Sequence, residues 1–241
     1  GRSKVRDLAG LRTSGWPYPQ HAVVSTVETS EPHMTAWQIF LPTGPLALLP
    51  MSDKYSNIVW STTPSHAARL ASSSSQEFAS QVNSALHTPP TPPKMPFGAV
   101  TDIIQHVPFA GVSTAADSTF QTPPKVLNAP GPRGAFPLGL WHSHKYTRAR
   151  LALIGDAAHT VHPLAGQGVN LGLYDARTLA QALSQALETG EDIGATSTLR
   201  HYEKSARRSN MPMMTALDGL QRLFAAESPL VSFARDTGLN V

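Results

Sequence analysis

Three segments in the first quarter of the chain, residues 21–27, 35–41 and 55–61, are rich in β-branched and aromatic side chains and are separated by Pro, Gly and Asp. Such residues suit a pleated, half-buried surface and such breakers end strands, so the region up to Thr63 predicts an antiparallel meander. The period then changes. Pro64 stands where a helix begins, and Phe78, Val82 and Leu86 recur every four residues, predicting helices over 64–70 and 75–86. Residues 87–96 hold five prolines and predict an extended connection, because proline has no N–H to give to a helix interior.

From 101 to 134 short apolar pieces alternate with the breakers Pro123-Pro124 and Pro130-Gly131-Pro132, which predicts strand and loop. Residues 135–141 and 149–154 are again strand-like. The second is a nearly continuous apolar run ending at Gly155-Asp156, the pattern of a buried parallel strand. Beyond Gly168 the pattern is helical: Val169, Gly172/Leu173, Ala176, Leu179/Ala180, Leu183 and Leu187 recur every three or four residues, and Gly190 suits a C-terminal cap. Two further helices, 196–209 and 212–226, complete the expected elements, with Pro212 opening the second.

Composition narrows the function classes. With 41% hydrophobic and 15% charged residues, the 241-residue chain can build a core, and its 21 Pro and 17 Gly imply much loop. Lys and Arg number 19 against 16 Asp and Glu, a formal +3 without any block of like charge, which argues against nucleic acid as a partner. The absence of cysteine excludes disulfides, thiolate metal sites and cysteine nucleophiles, and suits a reducing compartment. Apolar runs such as Leu46-Ala47-Leu48-Leu49 fall far short of the roughly 20 residues that span a bilayer. The chain opens without Met, signal core or presequence, and reads as a fragment.

One segment carries specific chemistry. Between Leu151 and Gly172 a strand-like run delivers an acid, Asp156; a turn with Gly and Pro follows, and a helix starts at Gln167-Gly168-Val169-Asn170. A helix start offers unpaired N–H groups and a positive dipole end to an electron-rich group. An acid just past a strand accepts hydrogen bonds from sugar-like hydroxyls. Together they describe a cradle for a polyol-bearing cofactor. Four histidines nearby, His142, His144, His159 and His162, raise the question of zinc. The His159/His162 spacing is interrupted by Pro163 and has no carboxylate or thiolate in register, so no metal site is expected. Trp37, Phe40 and Trp60 either line a pocket for an aromatic substrate or form core, core being the commoner fate of strand aromatics. Arg207, Arg208 and Arg222 read as a membrane- or partner-facing set or as a solvated helix face.

Gly155-Asp156-Ala157-Ala158-His159 followed by His162-Pro163-Leu164-Ala165-Gly166-Gln167-Gly168-Val169-Asn170 resembles the second FAD-binding motif of the class A flavoprotein aromatic hydroxylases, and within them the ubiquinone-biosynthesis monooxygenases. The likeness extends to Ser14-Gly15-Trp16, Ala36-Trp37-Gln38-Ile39-Phe40, Gly44-Pro45-Leu46, Val59-Trp60-Ser61 and Phe136-Pro137-Leu138-Gly139, and so to nearly the whole chain. It implies an α/β (α+β) fold: a partial FAD-dependent hydroxylase with a mixed, largely antiparallel substrate-domain sheet, a terminal FAD-domain strand and helix, and C-terminal helices. The corresponding division is 1–20 as a remnant of the FAD-domain junction, 21–141 as the substrate sheet with its helices, 142–190 as the FAD motif and helix, and 191–241 as a helical tail.

By the same resemblance, Gly155 and Asp156 meet the ribityl or pyrophosphate part of FAD. Gly166, Gln167, Gly168, Val169 and Asn170 offer backbone N–H groups to the pyrimidine edge of the flavin, and Pro163 lies beside the reacting ring as the catalytic position. The first six residues look like the tail of a further family motif that lacks its Asp, and no cofactor contact is assigned to Arg6. The family's opening Gly-x-Gly-x-x-Gly unit for the ADP half does not occur in these 241 residues, so weak or no FAD binding is expected of this chain alone and full binding of its parent. The implied reaction hydroxylates the ring of a polyprenylated 4-hydroxybenzoate-type precursor of ubiquinone. The implied setting is mitochondrial: an NAD(P)H or ferredoxin electron donor, a coenzyme Q biosynthetic complex, and peripheral contact with the matrix side of the inner membrane. The rival expectation, from a different class, is a truncated or degenerate homologue that holds no FAD and acts as an interaction subunit of a mitochondrial assembly.

Overall fold

The computed structural model describes residues 3–88 and 122–225. The chain divides into two units, residues 20–136 with 223–241 and residues 1–19 with 137–222. Most of the predicted proline-rich connection at 87–96 and of the 101–134 stretch lies outside the described residues.

In the 20–136 unit, strands β1 (Thr13–Thr29, shared with the other unit), β2 (Trp37–Leu41), β3 (Gly44–Pro50) and β4 (Tyr55–Thr62) form a sheet in the order β2-β3-β4-β1, with β5 (Val126–Asn128) on the far side of β1. All these ladders are antiparallel. The sequence missed β3, whose Leu46–Leu49 run had been read only for its length. It follows β2 through a two-residue turn, since Leu41 pairs with Gly44. The extra strand changes the neighbours: β1 lies against β4, with Val23 opposite Trp60 and Val27 opposite Ser56.

Register explains the core. Ile39, Leu46, Trp60 and Val23 are successive cross-strand partners, and they share one face of the sheet. That face is covered by α2 (Pro64–Ser72) through Ala67 and Leu70, and by α3 (Ser75–His87) through Phe78, Ala79, Val82 and Leu86. Trp60 is 4% exposed and belongs to this core; Trp37 packs against it partly buried. Both helices start as their sequences dictate: the Thr63 hydroxyl accepts from the His66 N–H, and Ser74 accepts from the Glu77 N–H. Asn83 on α3 uses its carboxamide as a surrogate peptide, donating to the Val126 carbonyl and accepting from the Val126 N–H, both at 2.8 Å. This double bond completes the short strand β5.

The other unit contains α1 (Lys4–Leu8), the start of β1, β6 (Gly134–Ser143, which begins in the first unit), the β7–β8 hairpin (Thr147–Arg148 and Leu151–Ala152), β9 (His159–Thr160), α4 (Gln167–Thr189) and α5 (Thr196–Ala225). Two expectations fail here. The 149–154 run is not a buried parallel strand among the described residues; only Leu151 and Ala152 pair, antiparallel with Thr147 and Arg148. The backbone of Leu153 instead donates to the Tyr146 carbonyl at 2.7 Å and accepts from the buried Tyr202 hydroxyl at 2.6 Å, so it needs no strand neighbour. Nor do the described residues break into two tail helices at Pro212. Pro212 lies inside one 30-residue helix. Contacts on both sides of it, through Tyr202, Ala206 and Asn210 before and Met214 and Leu217 after, bury one continuous face and offset the lost N–H bond.

Because Pro212 is exposed within that helix, replacing it restores a backbone bond without disturbing the core. Pro212→Ala is expected to raise stability by about 1–3 kcal/mol. A thermal melt reads this, and an unchanged or lower melting temperature would show that the helix depends on the proline.

Candidate functional site

The motif resolves into three pieces of the second unit. Gly155–Ala157 form a single 3₁₀ turn, β9 follows, and a second 3₁₀ turn, Pro163–Ala165, leads through Gly166 into α4. Gly155 has φ +53° and Gly166 φ +61°, left-handed values that favour glycine at both bends. Gly155 also touches α4: a Cβ built on Gly172 would lie 3.4 Å from the Gly155 Cα. The turn that presents Asp156 is therefore packed directly on the helix that the motif begins.

Among the sequence-predicted residues, Asp156 is exposed, Pro163 half-buried, and Gly166, Val169 and Asn170 exposed at the helix start. Gln167 accepts from the Asn170 carboxamide at 3.1 Å. No side chain caps the helix, since its N-cap is Gly166. The first-turn N–H groups of an α-helix have no partner within the helix, and the N–H of the capping Gly166 goes to the Pro163 carbonyl at 3.1 Å. A Cβ on Gly166 would meet nothing within 4 Å, and one on Gly168 only the Val161 methyl at 4.0 Å. The space in front of the helix start is open to a planar, electron-rich group. These residues fit the pyrimidine edge of a flavin.

Sequence reasoning misjudged the helix's faces. Val169, Leu173 and Leu187 of the predicted stripe are 71%, 64% and 69% exposed, while the buried positions are Leu171, Asp175, Thr178 and Ala186. Asp175 was overlooked. It is wholly buried, and its Oδ2 accepts from the Gly155 N–H at 2.9 Å and from His159 Nε2 at 2.6 Å, while its Oδ1 accepts from the Asn210 carboxamide at 2.8 Å. The available signal was an acid three and four residues from Thr178 and Leu171, on a helix face otherwise without charge.

His159 is thus a hydrogen-bonded core residue. His162, also fully buried, sets its ring edge-on to Tyr18 with centroids 5.2 Å apart. Burial lowers the His162 pKa from 6.5 to about 4, so the residue preceding Pro163 is neutral at physiological pH. Burial, reinforced by Arg207, lowers His142 to about 4 as well. Tyr18 in turn donates to Asp218 at 2.7 Å; burial and that carboxylate raise its pKa above the ordinary phenol value. Arg6, to which no role was assigned, is 7% exposed and donates to the Ala157 carbonyl at 3.2 Å, bracing the Asp156 turn from α1. Of the arginines considered for a surface role, Arg222 binds Asp218 at 2.7 Å above the Trp16 ring, and Arg207 donates to the His144 carbonyl. No described helix is long and apolar enough to cross a membrane.

Comparison with known proteins places this geometry. Residues 123–216 match the FAD binding domain family model. The chain is 44% identical over 240 residues to the mitochondrial ubiquinone biosynthesis monooxygenase COQ6 of Xenopus tropicalis, covering 98% of this chain and 51% of that protein. The human COQ6 monooxygenase is 43% identical, with 95% of this chain and 49% of that protein covered. The chain thus spans about half the length of these relatives. Among solved structures, p-nitrophenol 4-monooxygenase PnpA from Pseudomonas putida superposes with a TM-score of 0.66 at 18% identity, covering 99% of this chain and 51% of that one. CabE, an aromatic hydroxylase from angucycline biosynthesis, gives 0.57 at 20% identity, with 100% and 41% covered. These last two likenesses bear on the fold.

The neutral, buried His162 makes stability depend on pH. Its folded pKa lies below its unfolded value, so between pH 6.5 and about 4 only the unfolded chain takes up the proton. Stability is complete above that window and declines as pH falls through it, by at most about 1.4 kcal/mol per pH unit from this residue. Melting temperatures at pH 7 and pH 5 should fall less steeply for His162→Gln than for the wild type; parallel curves would mean that His162 is not the excluded base.

Proposed function

We propose that this chain, which belongs to the FAD-dependent aromatic hydroxylases, supplies the flavin-ring side of an FAD site and the substrate-side sheet of a ring monooxygenase. The observation that carries the reading is the start of α4: an uncapped helix N-terminus with open space before Gly166 and Gly168, in the same segment as an exposed acid on a glycine turn. Asp156 and Gly155 would hold the ribityl or pyrophosphate part, and the segment Gly166–Asn170 the pyrimidine edge through the helix-start N–H groups that follow Gly166, whose own N–H goes to the Pro163 carbonyl at 3.1 Å. Pro163 would border the reacting face. When bound, the flavin supplies the oxygen chemistry. The chain's own task is to bind, orient and shield. A helix dipole at the pyrimidine edge favours negative charge there. The neutral His162, packed on Tyr18, holds the loop that carries Pro163 without placing a charge beneath it. No side-chain acid or base is given a proton-transfer role.

The similarity to ubiquinone biosynthesis monooxygenases supports a polyprenylated 4-hydroxybenzoate-type ring as the substrate of the whole protein, and a mitochondrial setting. We extend the proposal to an NAD(P)H or ferredoxin donor, association with a coenzyme Q biosynthetic complex, and peripheral attachment to the matrix side of the inner membrane.

The test uses the full-length protein and titrates FAD. Gly168→Ala should leave the melting temperature of the FAD-free protein unchanged or slightly raised, since its Cβ meets only a methyl at 4.0 Å and alanine favours helix by about 1 kcal/mol, yet weaken FAD more than tenfold. Asp156→Ala should lose one charge-assisted bond, about 1.5–3 kcal/mol of FAD affinity. Gly190→Ala, at φ +72° on the helix's far end, should do the reverse and lower stability by about 1 kcal/mol with FAD affinity intact. If Gly168→Ala binds FAD like wild type, the helix start is not the cradle. If the full-length protein takes up no FAD, the interaction-subunit reading replaces this one.

A further inference from the structure

Of the ionisable groups that the second unit buries, one carboxylate has no role in binding assigned to it. Asp175 has no exposed surface, and its two oxygens accept three hydrogen bonds from three separate elements: the Gly155 N–H of the first turn, His159 of β9, and Asn210 of α5. A carboxylate taken out of water is strongly disfavoured unless its lone pairs are met, so this set of donors behaves as a unit. Its position gives it a function. Asp175 sits eight residues into α4 from Gln167, about 12 Å along the axis from the proposed flavin-facing start. It grips the residue immediately before Asp156.

We propose that Asp175 is the positioning residue of the flavin site: by accepting the Gly155 N–H it fixes the spacing between Asp156 and the helix start, without itself touching the cofactor. This rests on the reading of residues 155–170 as an FAD cradle. Two further contacts set the same spacing. Gly155 and Gly172 approach backbone to backbone, and Arg6 draws the Ala157 carbonyl from the opposite side. His159 presents an N–H to the same Oδ2, so Asp175 also fixes which tautomer the buried imidazole adopts. The Asn210 bond ties α5 to Oδ1, whereas the Gly155 N–H is held by Oδ2. That separation allows a functional and a purely structural loss to be distinguished at one side chain.

The experiment compares Asp175→Asn with Asn210→Ala in the full-length protein. Three quantities are read for each: the FAD dissociation constant by flavin fluorescence, the visible circular dichroism of bound flavin, and the melting temperature of the FAD-free protein. Asp175→Asn removes the charge and replaces one of the two acceptor oxygens by an N–H donor, weakening the hold on the Gly155 N–H, and should raise the FAD dissociation constant at least tenfold and alter the flavin dichroism. Asn210→Ala should lower the melting temperature while changing FAD affinity less than threefold and leaving the dichroism as in wild type. Should Asp175→Asn not be recovered folded, Gly172→Ala carries the test. Its methyl would lie 3.4 Å from the Gly155 Cα on the same helix face with no polar group lost, and any shift of the turn should raise the FAD dissociation constant at least threefold. The proposal is overturned if Asp175→Asn, or Gly172→Ala in its place, binds FAD with wild-type affinity and dichroism, or if Asn210→Ala weakens FAD as much. Failure of the underlying reading looks different, because Gly168→Ala and Asp156→Ala would then also bind FAD normally.

Discussion

The buried carboxylate of Asp175 is the constraint around which residues 155–172 are arranged. A charge at 0% exposure survives only among donors, and here the donors are a turn N–H, an imidazole and a carboxamide drawn from three elements. Once those bonds are required, much else follows. Gly155 must turn its N–H toward α4, which its left-handed φ permits, and Gly172 lets the turn lie directly on the helix, where an added Cβ would stand 3.4 Å from the Gly155 Cα. The chain can then begin α4 without a side-chain cap, with open space where a Cβ would stand on Gly166 or Gly168.

The sheet unit obeys a simpler rule. One face is paved by cross-strand partners such as Val23, Trp60 and Leu46, and the helices that cover it are set at their N-termini by Thr63 and Ser74. Capping fixes where each helix begins, and the four-residue spacing of Phe78, Val82 and Leu86 fixes which face turns inward. No ionisable side chain is buried among the described residues of that unit, in contrast to the motif unit, whose interior contains Asp175, His159 and His162.

Local signals were therefore legible wherever local chemistry decides. Pro64 marked a helix start, the spacing of Phe78, Val82 and Leu86 a helix, Gly190 a helix end, and Gln167-Gly168-Val169-Asn170 the start of α4. What the sequence did not reveal depended on distant partners. Residues 149–154 look like a parallel strand, but the Leu153 backbone is satisfied by Tyr146 and Tyr202, the latter 49 residues away. Pro212 reads as a helix boundary, yet the buried face continues from Asn210 to Met214 across it. Asp175 looked like one more polar residue of α4, because the periodicity of Val169, Leu173, Ala176 and Leu187 drew the stripe along the wrong side. Only the donors brought by β9 and α5 reveal it.

The central claim is that FAD meets the backbone at the start of α4. Hydrogen–deuterium exchange of the full-length protein, with and without FAD, tests it most directly. First-turn amides of a helix have no intrahelical acceptor and exchange readily, so the account predicts that FAD protects peptides covering Gln167 to Asn170 and the Asp156 turn, with little change over 196–210 of α5. Saturating FAD that leaves exchange at Gln167 to Asn170 unchanged would contradict it.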